Sequence, residues 1–292
     1  MAKLDKWKLF APLVIFLVTI AINVSGCSIA TKASNSNQAK NSQAQTHNHD
    51  NESTSNNLIG YYTGKLDKKL LQVTRNNNKI TAIHSKAYNL DIIIDYDKNQ
   101  ENYINSILFN HSPIGEIDFK GNYDSKPNSV ENLGMSYDKK LLAIQLHYTE
   151  GVKVLVVNLK SGEKFILNDI LKKLIGKDIE TLWAYSWAPK EEKIAVAYGN
   201  TSTSNLAIYD FKTKLLSPIP VNSNLIGTAK ILWNNNENQF DFISEYPSDN
   251  FFLYRYSFTD KKVVKIKKVP STEIFTKYPD PNINLILKVS HP

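Results

Sequence analysis

Residues 186–219, SWAPKEEKIAVAYGNTSTSNLAIYDFKTKLLSPI, contain the pattern that decides the fold of this chain. The first half, 186–198, runs from an aromatic residue through a polar turn into a strand in which Ile194, Val196 and Tyr198 share one face. The second half, 205–219, is a strand, a polar turn and another strand. The segment therefore predicts a small antiparallel β-sheet with two faces to bury.

Units with the same order of elements occur on both sides of this segment. The units cover residues 134–167, 186–219 and 232–266, with a fainter copy at 76–104. The equivalent aromatic or apolar positions are Met135, Trp187 and Trp233, which lie 52 and 46 residues apart. Such self-similarity is typical of repeat architectures.

The composition agrees with a globular β protein. Hydrophobic residues make up 42% of the chain, charged residues 22% and aromatic residues 11%, and aromatic and β-branched side chains favour strands. One small sheet cannot cover its own faces, so successive sheets have to stack. We expect an all-β, propeller-like array of about four to five antiparallel blades over residues 58–292, with a partial propeller or a β-sandwich as the alternative.

One insertion has helical rather than strand spacing. Residues 168–181, NDILKKLIGKDIET, contain a single apolar stripe made of Ile170, Leu171, Leu174 and Ile175. We expect Asn168 or Asp169 to cap the start of a short helix that packs on a sheet edge.

The repeats resemble the blades of the TolB and WD40-like β-propeller families. The family pattern is an aromatic-Ser-Pro-Asp-Gly-Lys turn, a strand, a gap, and a strand that ends in Asp and a Thr-Gly turn. Residues 187–190 match the first half of this pattern, and residues 158–162 and 210–213 match the second half. The resemblance covers residues 70–268 and implies a propeller fold, without an activity.

The N-terminal residues 1–26 have the order of a secretory signal. A positive stretch at residues 3–8 precedes an uncharged apolar run at residues 9–22, and small residues follow. The apolar run is shorter than the roughly 20 residues that a bilayer crossing needs. We predict a cleaved signal, with an uncleaved signal anchor as the alternative.

The end of this signal, Val24-Ser25-Gly26-Cys27, resembles the lipobox of bacterial lipoproteins. The resemblance implies cleavage between Gly26 and Cys27 and attachment of a diacylglycerol to the Cys27 thiol. Acyl chains would then hold the protein on the outer face of the cell membrane. Cys27 is the only cysteine of the chain, so we expect no intramolecular disulfide.

Residues 27–57 differ sharply in composition from the rest of the chain. Ser, Asn, Gln and Thr dominate, and Ile29 is the only large apolar residue. Such a segment cannot bury enough apolar surface to offset its chain entropy, so we predict a disordered tether. His47 and His49 lie in this tether, but two imidazoles fall short of the four organised ligands of a structural metal site. We predict no metal and no cofactor.

The remaining candidates for chemistry are few. Asp91, Asp95 and Asp97 share a strand parity, which suits either a Ca²⁺ site or, as we interpret it, a solvated strand face. The histidines lack HExxH spacing, and the chain has neither a Gly-rich phosphate loop nor a Gly-x-Ser-x-Gly elbow. We therefore name no catalytic residue.

The distribution of charge and the aromatic residues are the basis for predicting the binding partners. The formal charge is +7, but the lysines are scattered, so we do not expect nucleic acid as a partner. Trp183, Tyr185 and Trp187 are our candidates for a binding surface, with core packing as the alternative. We predict a non-catalytic binding or scaffold module for an envelope protein or glycan. The alternatives are a cell-envelope hydrolase on a propeller scaffold and a structural assembly factor.

Overall fold

The computed structural model describes residue 62 and residues 67–100, 102–119, 125–221 and 224–285. The predicted cleavage after Gly26, the lipidation of Cys27 and the boundaries of the signal and the tether lie outside these residues. No helix in the described ranges is both long enough and apolar enough to cross a bilayer.

The described residues form four antiparallel sheets that follow one another along the chain. Sheet 1 consists of β1 (Gln72–Asn76), β2 (Lys79–Ser85), β3 (Leu90–Tyr96), β4 (Ile104–Phe109) and β5 (Gly115–Asp118). Sheet 2 contains β6 (Ser129–Met135), β7 (Leu141–His147), β8 (Val152–Asn158) and β9 (Lys164–Ile166). Helix α1 (Leu167–Ile175) follows β9. A 3-10 turn at Lys68–Leu70 precedes β1.

The second half of the chain repeats the same plan. Sheet 3 contains β10 (Thr181–Trp187), β11 (Lys193–Gly199), β12 (Ser204–Asp210) and β13 (Leu216–Pro218). Sheet 4 contains β14 (Gly227–Trp233), β15 (Gln239–Glu245), β16 (Phe251–Ser257) and β17 (Lys262–Val269). A four-residue helix, α2 (Ser271–Ile274), comes next, and the last described strand, β18 (Ile283–Asn284), returns to pair with β6 in sheet 2.

The prediction of an all-β, propeller-like array is confirmed, with four blades in the described residues. The repeat positions also coincide with structure. Met135, Trp187 and Trp233 each end the first strand of a sheet, and they pair with Leu142, Ile194 and Phe240 on the second strand. The 52- and 46-residue spacing is therefore the spacing of the blades.

Apolar cores lie between successive sheets. One core joins sheets 1 and 2, another joins sheets 2 and 3, and a further one joins sheets 3 and 4. The strand β11 shows how the alternation serves this arrangement. Ile194 and Val196 point into the core with sheet 2, whereas Ala195 and Ala197 point into the core with sheet 4. Each fully buried Ile or Val contributes about 1.5–3 kcal/mol.

The two ends of the array are different. The outer face of sheet 4 is covered by Tyr62, Ile274 and Tyr278. The outer face of sheet 1 carries exposed residues, among them Ile93 and Asp95. Within the described residues no apolar core joins sheet 4 to sheet 1.

Helix α1 is the predicted insertion, but the predicted cap is wrong. The helix begins after Ile166 without a side-chain cap. Asn168 lies inside the first turn, where its side chain accepts a hydrogen bond from Val154 N (3.1 Å) and donates to the carbonyls of Val152 (3.1 Å) and Ile179 (3.2 Å). A buried amide with two backbone partners on β8 and a third at Ile179, beyond the helix, is more strongly held than a solvent-exposed cap.

The apolar stripe of α1 is also only partly buried. Leu171 is fully buried, whereas Leu174 is 49% exposed. The helix packs on β8 and on the edge strand β9, so only the side of the stripe nearest the sheet is covered.

Candidate functional site

The first strands of sheets 2, 3 and 4 share a bulge. Their pairing with the second strand shifts register between Val130 and Asn132, between Leu182 and Ala184, and between Thr228 and Lys230. At each shift one residue of the first strand has no partner on the second strand, and these residues are Glu131, Trp183 and Ala229. A β-bulge turns a side chain out of the regular alternation, and bulges are common beside functional sites.

The three bulges open on one cavity of about 240 Å³, which we call the axial cavity. Its polar and aromatic lining comprises Glu131, Asn132, Gln145, Trp183, Tyr185, Lys230, Phe275, Asp280, Asn282 and Asn284. The volume lies just below the usual range of small-molecule sites, about 300–1,000 Å³. It suits a small polar ligand or the tip of a larger one.

Residues 278–285, which we call the C-terminal strap, form one side of the axial cavity. Lys230 Nζ on β14 donates to the carbonyl of Tyr278 (2.9 Å), and Asn282 Nδ2 donates to the carbonyl of Tyr185 on β10 (2.8 Å). Strand β18 pairs with β6, and Arg75 on β1 donates to the carbonyl of Leu285. The strap thus contacts a strand from each of the four sheets.

Gly134 on β6 allows the strap to approach this closely. A methyl group at Gly134 would lie 2.7 Å from Tyr185 Cε2 and would collide with Asn282 Oδ1. Only a residue without Cβ leaves room for both side chains.

Two charged groups of the axial cavity are strongly affected by burial. Lys230 is 3% exposed, and its ammonium group lies 2.5 Å from Asp280 Oδ1 and 5.2 Å from the centre of the Phe275 ring. Such pairing compensates a buried charge. Burial raises the pKa of the Glu131 carboxyl, and the charge of His147 opposes this only in part. Burial therefore opposes ionisation of Glu131.

The axial cavity also has hydrogen-bonding capacity that protein groups do not use. Asn132 Nδ2 donates to Gln145 Oε1, and Gln145 Nε2 donates to the carbonyl of Leu182 (2.8 Å). Asn132 Oδ1, Trp183 Nε1 and Asn282 Oδ1 are buried and make no hydrogen bond within the described residues. An unsatisfied buried polar atom costs about 1–3 kcal/mol, so these three atoms need a partner, which a water molecule or a ligand can supply.

Two of the three predicted binding residues line the axial cavity. Trp183 is the bulged residue of β10, and Tyr185 forms the wall behind it. Tyr185 is 1% exposed and donates to the carbonyl of Ala143 (3.0 Å), and its burial raises the pKa of the phenol well above the ordinary value. Trp187 lies elsewhere, in the core between sheets 2 and 3, with its ring centre 5.1 Å from that of Phe211.

Sequence reasoning missed the other residues of the axial cavity. Asn132, Lys230 and the strap were not candidates, because neither a bulge nor the return of a distant strand leaves a local pattern. One signal was present in the repeat. The spacing that relates Met135 to Trp187 also relates Glu131 to Trp183, so the aligned units already placed a carboxyl and an indole at one equivalent position.

The row of aspartates does not form a site. Asp97 lies beyond the end of β3, and its carboxylate accepts a hydrogen bond from Lys126 Nζ (2.9 Å) that lowers its pKa. Asp91 instead faces His84 at 3.9 Å. In the part of the chain that the structure describes, no three His, Cys, Asp or Glu side chains are grouped so as to hold a metal ion.

Comparison with known proteins gives likeness only to solved structures. No family model and no curated protein matches the chain. TolB from Acinetobacter baumannii shares 12% identity over 68% of this chain and 56% of that chain, with a TM-score of 0.39. The β-propeller domain of the Trilobed protease from Pyrococcus furiosus shares 15% over 49% and 43%, with a TM-score of 0.37.

A third structure, puromycin hydrolase, shares 11% identity over 65% of this chain and 28% of that chain, with a TM-score of 0.39. The chain thus spans between about a quarter and three fifths of the solved structures it resembles. At these identities and TM-scores the likenesses carry no argument about function. The assignment of blades comes from the sheets themselves.

Proposed function

We propose that this chain is a membrane lipoprotein whose blades bind a component of the cell envelope, a protein or a glycan, without catalysing a reaction. The resemblance of the segment around Gly26 and Cys27 to a lipobox supports the proposed attachment to the membrane. The axial cavity supports the binding role. The resemblance of the repeats to TolB-like blades concerns the fold and implies no enzymatic activity.

The observation that carries the proposal is the convergence of the three bulges. Glu131, Trp183 and Ala229 leave the regular ladder at the same position of three successive sheets, and all three line one cavity. Bulges disrupt pairing and add twist. Their repetition at one place is best explained by a use for the space that they create.

The lining indicates a ligand that is polar and nearly neutral. Trp183 and Phe275 line the cavity with aromatic rings, and Asn132 and Asn282 each have an amide oxygen that makes no hydrogen bond within the described residues. Lys230 is already paired with Asp280. Aromatic faces with a few amide groups fix the orientation of sugars and of peptide ends, which is why we name a glycan or a protein segment.

Site-specific photo-crosslinking tests this role. Phe275 lines the axial cavity and is 50% exposed, and Tyr137, in the turn between β6 and β7, is 45% exposed. We replace each in turn with benzoylphenylalanine in the full chain and irradiate the producing cells. We expect an adduct of defined mass from position 275 only, and its loss when Trp183→Ala is added. Equal adducts from both positions, or none from position 275, would contradict the proposal.

The envelope hydrolase has one specific observation in its favour. Glu131, whose pKa is raised by burial, lines the same cavity as Asp280, which is paired with Lys230. Two carboxyl groups in different environments are the pattern of acid–base catalysis. Release of fragments from purified wall polymer by the wild-type chain, abolished in Glu131→Gln, would replace the binding role by this one.

The proposed lipid attachment at Cys27 is tested by a separate experiment. Mass spectrometry of the mature protein is expected to find Cys27 as the first residue, carrying acyl chains. A mature chain that begins at another residue, or an unmodified Cys27 thiol, would remove the proposed anchor and leave the axial cavity untouched.

A further inference from the structure

The outer edge of sheet 4 carries an unusual density of positive charge. Residues 261–269, KKVVKIKKV, include five lysines and no acidic residue. Strand β17 is the last strand of its sheet, so one side of its backbone has no neighbouring strand in the described residues. We call this element, with Lys261, the basic edge.

The charges of the basic edge are not neutralised by the rest of the described chain. None of its lysines has an ion-pair partner there, whereas Lys140, Lys193 and Lys230 on other strands and turns do. Lys268 donates to the Asn250 amide oxygen (2.6 Å), and Lys265 Nζ lies 3.7 Å from the centre of the Phe252 ring. Both contacts leave the positive charge in place.

Protection of an exposed strand explains only part of this pattern. Lysines on an edge discourage pairing with other chains. The other sheets protect their edges by brevity, because β5 has four residues and β9 and β13 have three each. Strand β17 has eight residues, and it exposes Val264 (50%) and Ile266 (44%) between the lysines. Exposed apolar side chains work against protection and suit an interface.

Tyr62, the described residue nearest the predicted anchor, contacts the same sheet on the side of β14 and β15. Tyr62 forms a bridge with Asn234 at the end of β14, and its hydroxyl donates to Asp241 Oδ2 on β15 (2.6 Å). Asp241 is fully buried and also accepts two hydrogen bonds from Arg255 on β16 (2.8 and 2.9 Å). Tyr62 is therefore held against the β14 and β15 side of sheet 4.

We propose that the basic edge lies against the anionic phospholipid headgroups of the membrane that carries the anchor. The positive charge of the basic edge is complementary to that of the headgroups, and the exposed Val264 and Ile266 can enter the headgroup region. Each lysine near an anionic membrane strengthens association roughly fivefold. The proposal rests on the lipid anchor of the proposed function but not on a ligand in the axial cavity.

The test uses the full-length, lipid-bearing chain in vesicles. One set contains phosphatidylcholine alone, and the other contains in addition about 30% phosphatidylglycerol, which supplies the anionic headgroups. Lysine reactivity toward an acetylating reagent is read residue by residue by mass spectrometry. We expect Lys261 and Lys265 to react roughly threefold more slowly, or slower still, in the anionic vesicles, and to regain their reactivity at about 1 M salt, where the Debye length is about 3 Å.

One triple variant and one double variant distinguish the basic edge from positive charge elsewhere on the surface. In Lys262→Gln/Lys267→Gln/Lys268→Gln we expect the protection of Lys261 and Lys265 to disappear. In Lys173→Gln/Lys177→Gln, exposed lysines on and after α1, we expect it to persist. Retention of protection in the triple variant would overturn the proposal.

The remaining outcomes are equally decisive. Equal reactivity in the two kinds of vesicle would overturn the proposal, and so would equal protection by soluble polyphosphate in phosphatidylcholine vesicles, which would assign the edge to a soluble polyanion. Failure of the anchor is distinguished by flotation. A chain without acyl groups floats with neither kind of vesicle at high salt, whereas an anchored chain floats with both.

Discussion

At the scale of single residues, the bulged positions of the three repeats carry different chemistry. Glu131, Trp183 and Ala229 supply a carboxyl, an indole and a methyl group at equivalent points of sheets 2, 3 and 4. The backbone of the axial cavity is therefore repetitive, but its lining is asymmetric. Asymmetry of this kind is what allows one orientation of a ligand to be selected.

The partly buried carboxyl of Glu131 makes the stability of the protein depend on pH. Its folded pKa is raised by burial, so above the unfolded value near 4.5 ionisation favours the unfolded chain, and the loss of stability grows with pH until the folded pKa is passed. We expect Glu131→Gln to raise the thermal midpoint at pH 7 and to leave it unchanged near pH 3.5. Differential scanning calorimetry at several pH values measures this.

Glu116→Gln is the control for that comparison. Glu116 is exposed on the edge strand β5, so its substitution should leave the midpoint unchanged at either pH. A gain from Glu131→Gln that was the same at pH 3.5 and pH 7 would contradict the assignment of the effect to ionisation.

The absence of a side chain at Gly134 is a second residue-scale feature. Gly134→Ala places a methyl group 2.7 Å from Tyr185 Cε2 and in collision with Asn282 Oδ1, so the strap has to move. We expect a loss of about 1–3 kcal/mol in unfolding free energy and faster amide exchange at Leu285, whose N–H donates to the Glu131 carbonyl (2.8 Å).

Gly227→Ala provides the matched control, because nothing lies within 4 Å of the added methyl group on β14. It should change stability little and leave the exchange of Leu285 unaltered. Unchanged exchange at Leu285 in Gly134→Ala would show that the strap does not depend on that glycine.

At the scale of elements, helix α1 is attached to sheet 2 by one amide. Asn168 links the backbone of β8 at Val152 and Val154 to Ile179 beyond the helix. Because the Asn168 side chain is buried and bonded to both, it connects strand β8 with the segment that follows the helix. The helix would otherwise rest on the apolar contacts of Leu167 and Leu171 alone.

We expect Asn168→Ala to lower the free energy of unfolding by about 2–3 kcal/mol, because three backbone groups lose their partner in a buried place. Chemical denaturation measures the change. Asp169→Ala, at the neighbouring exposed position, should cost no more than about 0.5 kcal/mol, the usual effect of one charge in a first helical turn. Equal effects of the two substitutions would contradict the assigned role of Asn168.

At the scale of the whole molecule, the array ends in two different ways. Sheet 4 is covered by chain from both ends of the domain, since Tyr62 precedes the blades and Ile274 and Tyr278 follow them. Terminal repeats need such capping because no further blade covers their apolar face. The same capping holds the start of the domain against the sheet that carries the basic edge.

Tyr62→Phe tests this closure. The hydroxyl donates to a fully buried carboxylate that also accepts from Arg255, and a hydrogen bond to a charged group contributes about 1.5–3 kcal/mol. We expect a loss of that size in denaturant unfolding, together with faster proteolysis near residue 62. Tyr137→Phe, at an exposed turn, should change neither, and a similar loss in both variants would exclude a specific role for the Tyr62 hydroxyl.

Much of the fold was predictable because it depends on local pattern. Alternation in residues 194–198 and the repeated Met135, Trp187 and Trp233 positions gave antiparallel sheets in the right places, since side chains on a strand have a period of two. The candidate site was predicted only in part. Trp183 and Tyr185 line the axial cavity, although Tyr185 is also part of the core between sheets 2 and 3, and Trp187 belongs to that core without lining the cavity.

The sequence by itself determined the all-β class, the blade spacing and the inserted helix, because these arise from contacts between residues that are close along the chain. Tertiary structure alone decided where the bulges converge. It also decided that residues 278–285 contact a strand of each of the four sheets and that Tyr62 covers the outer face of sheet 4. Those features join residues that are far apart along the chain, and a pairing at such distance leaves no periodic mark on either segment.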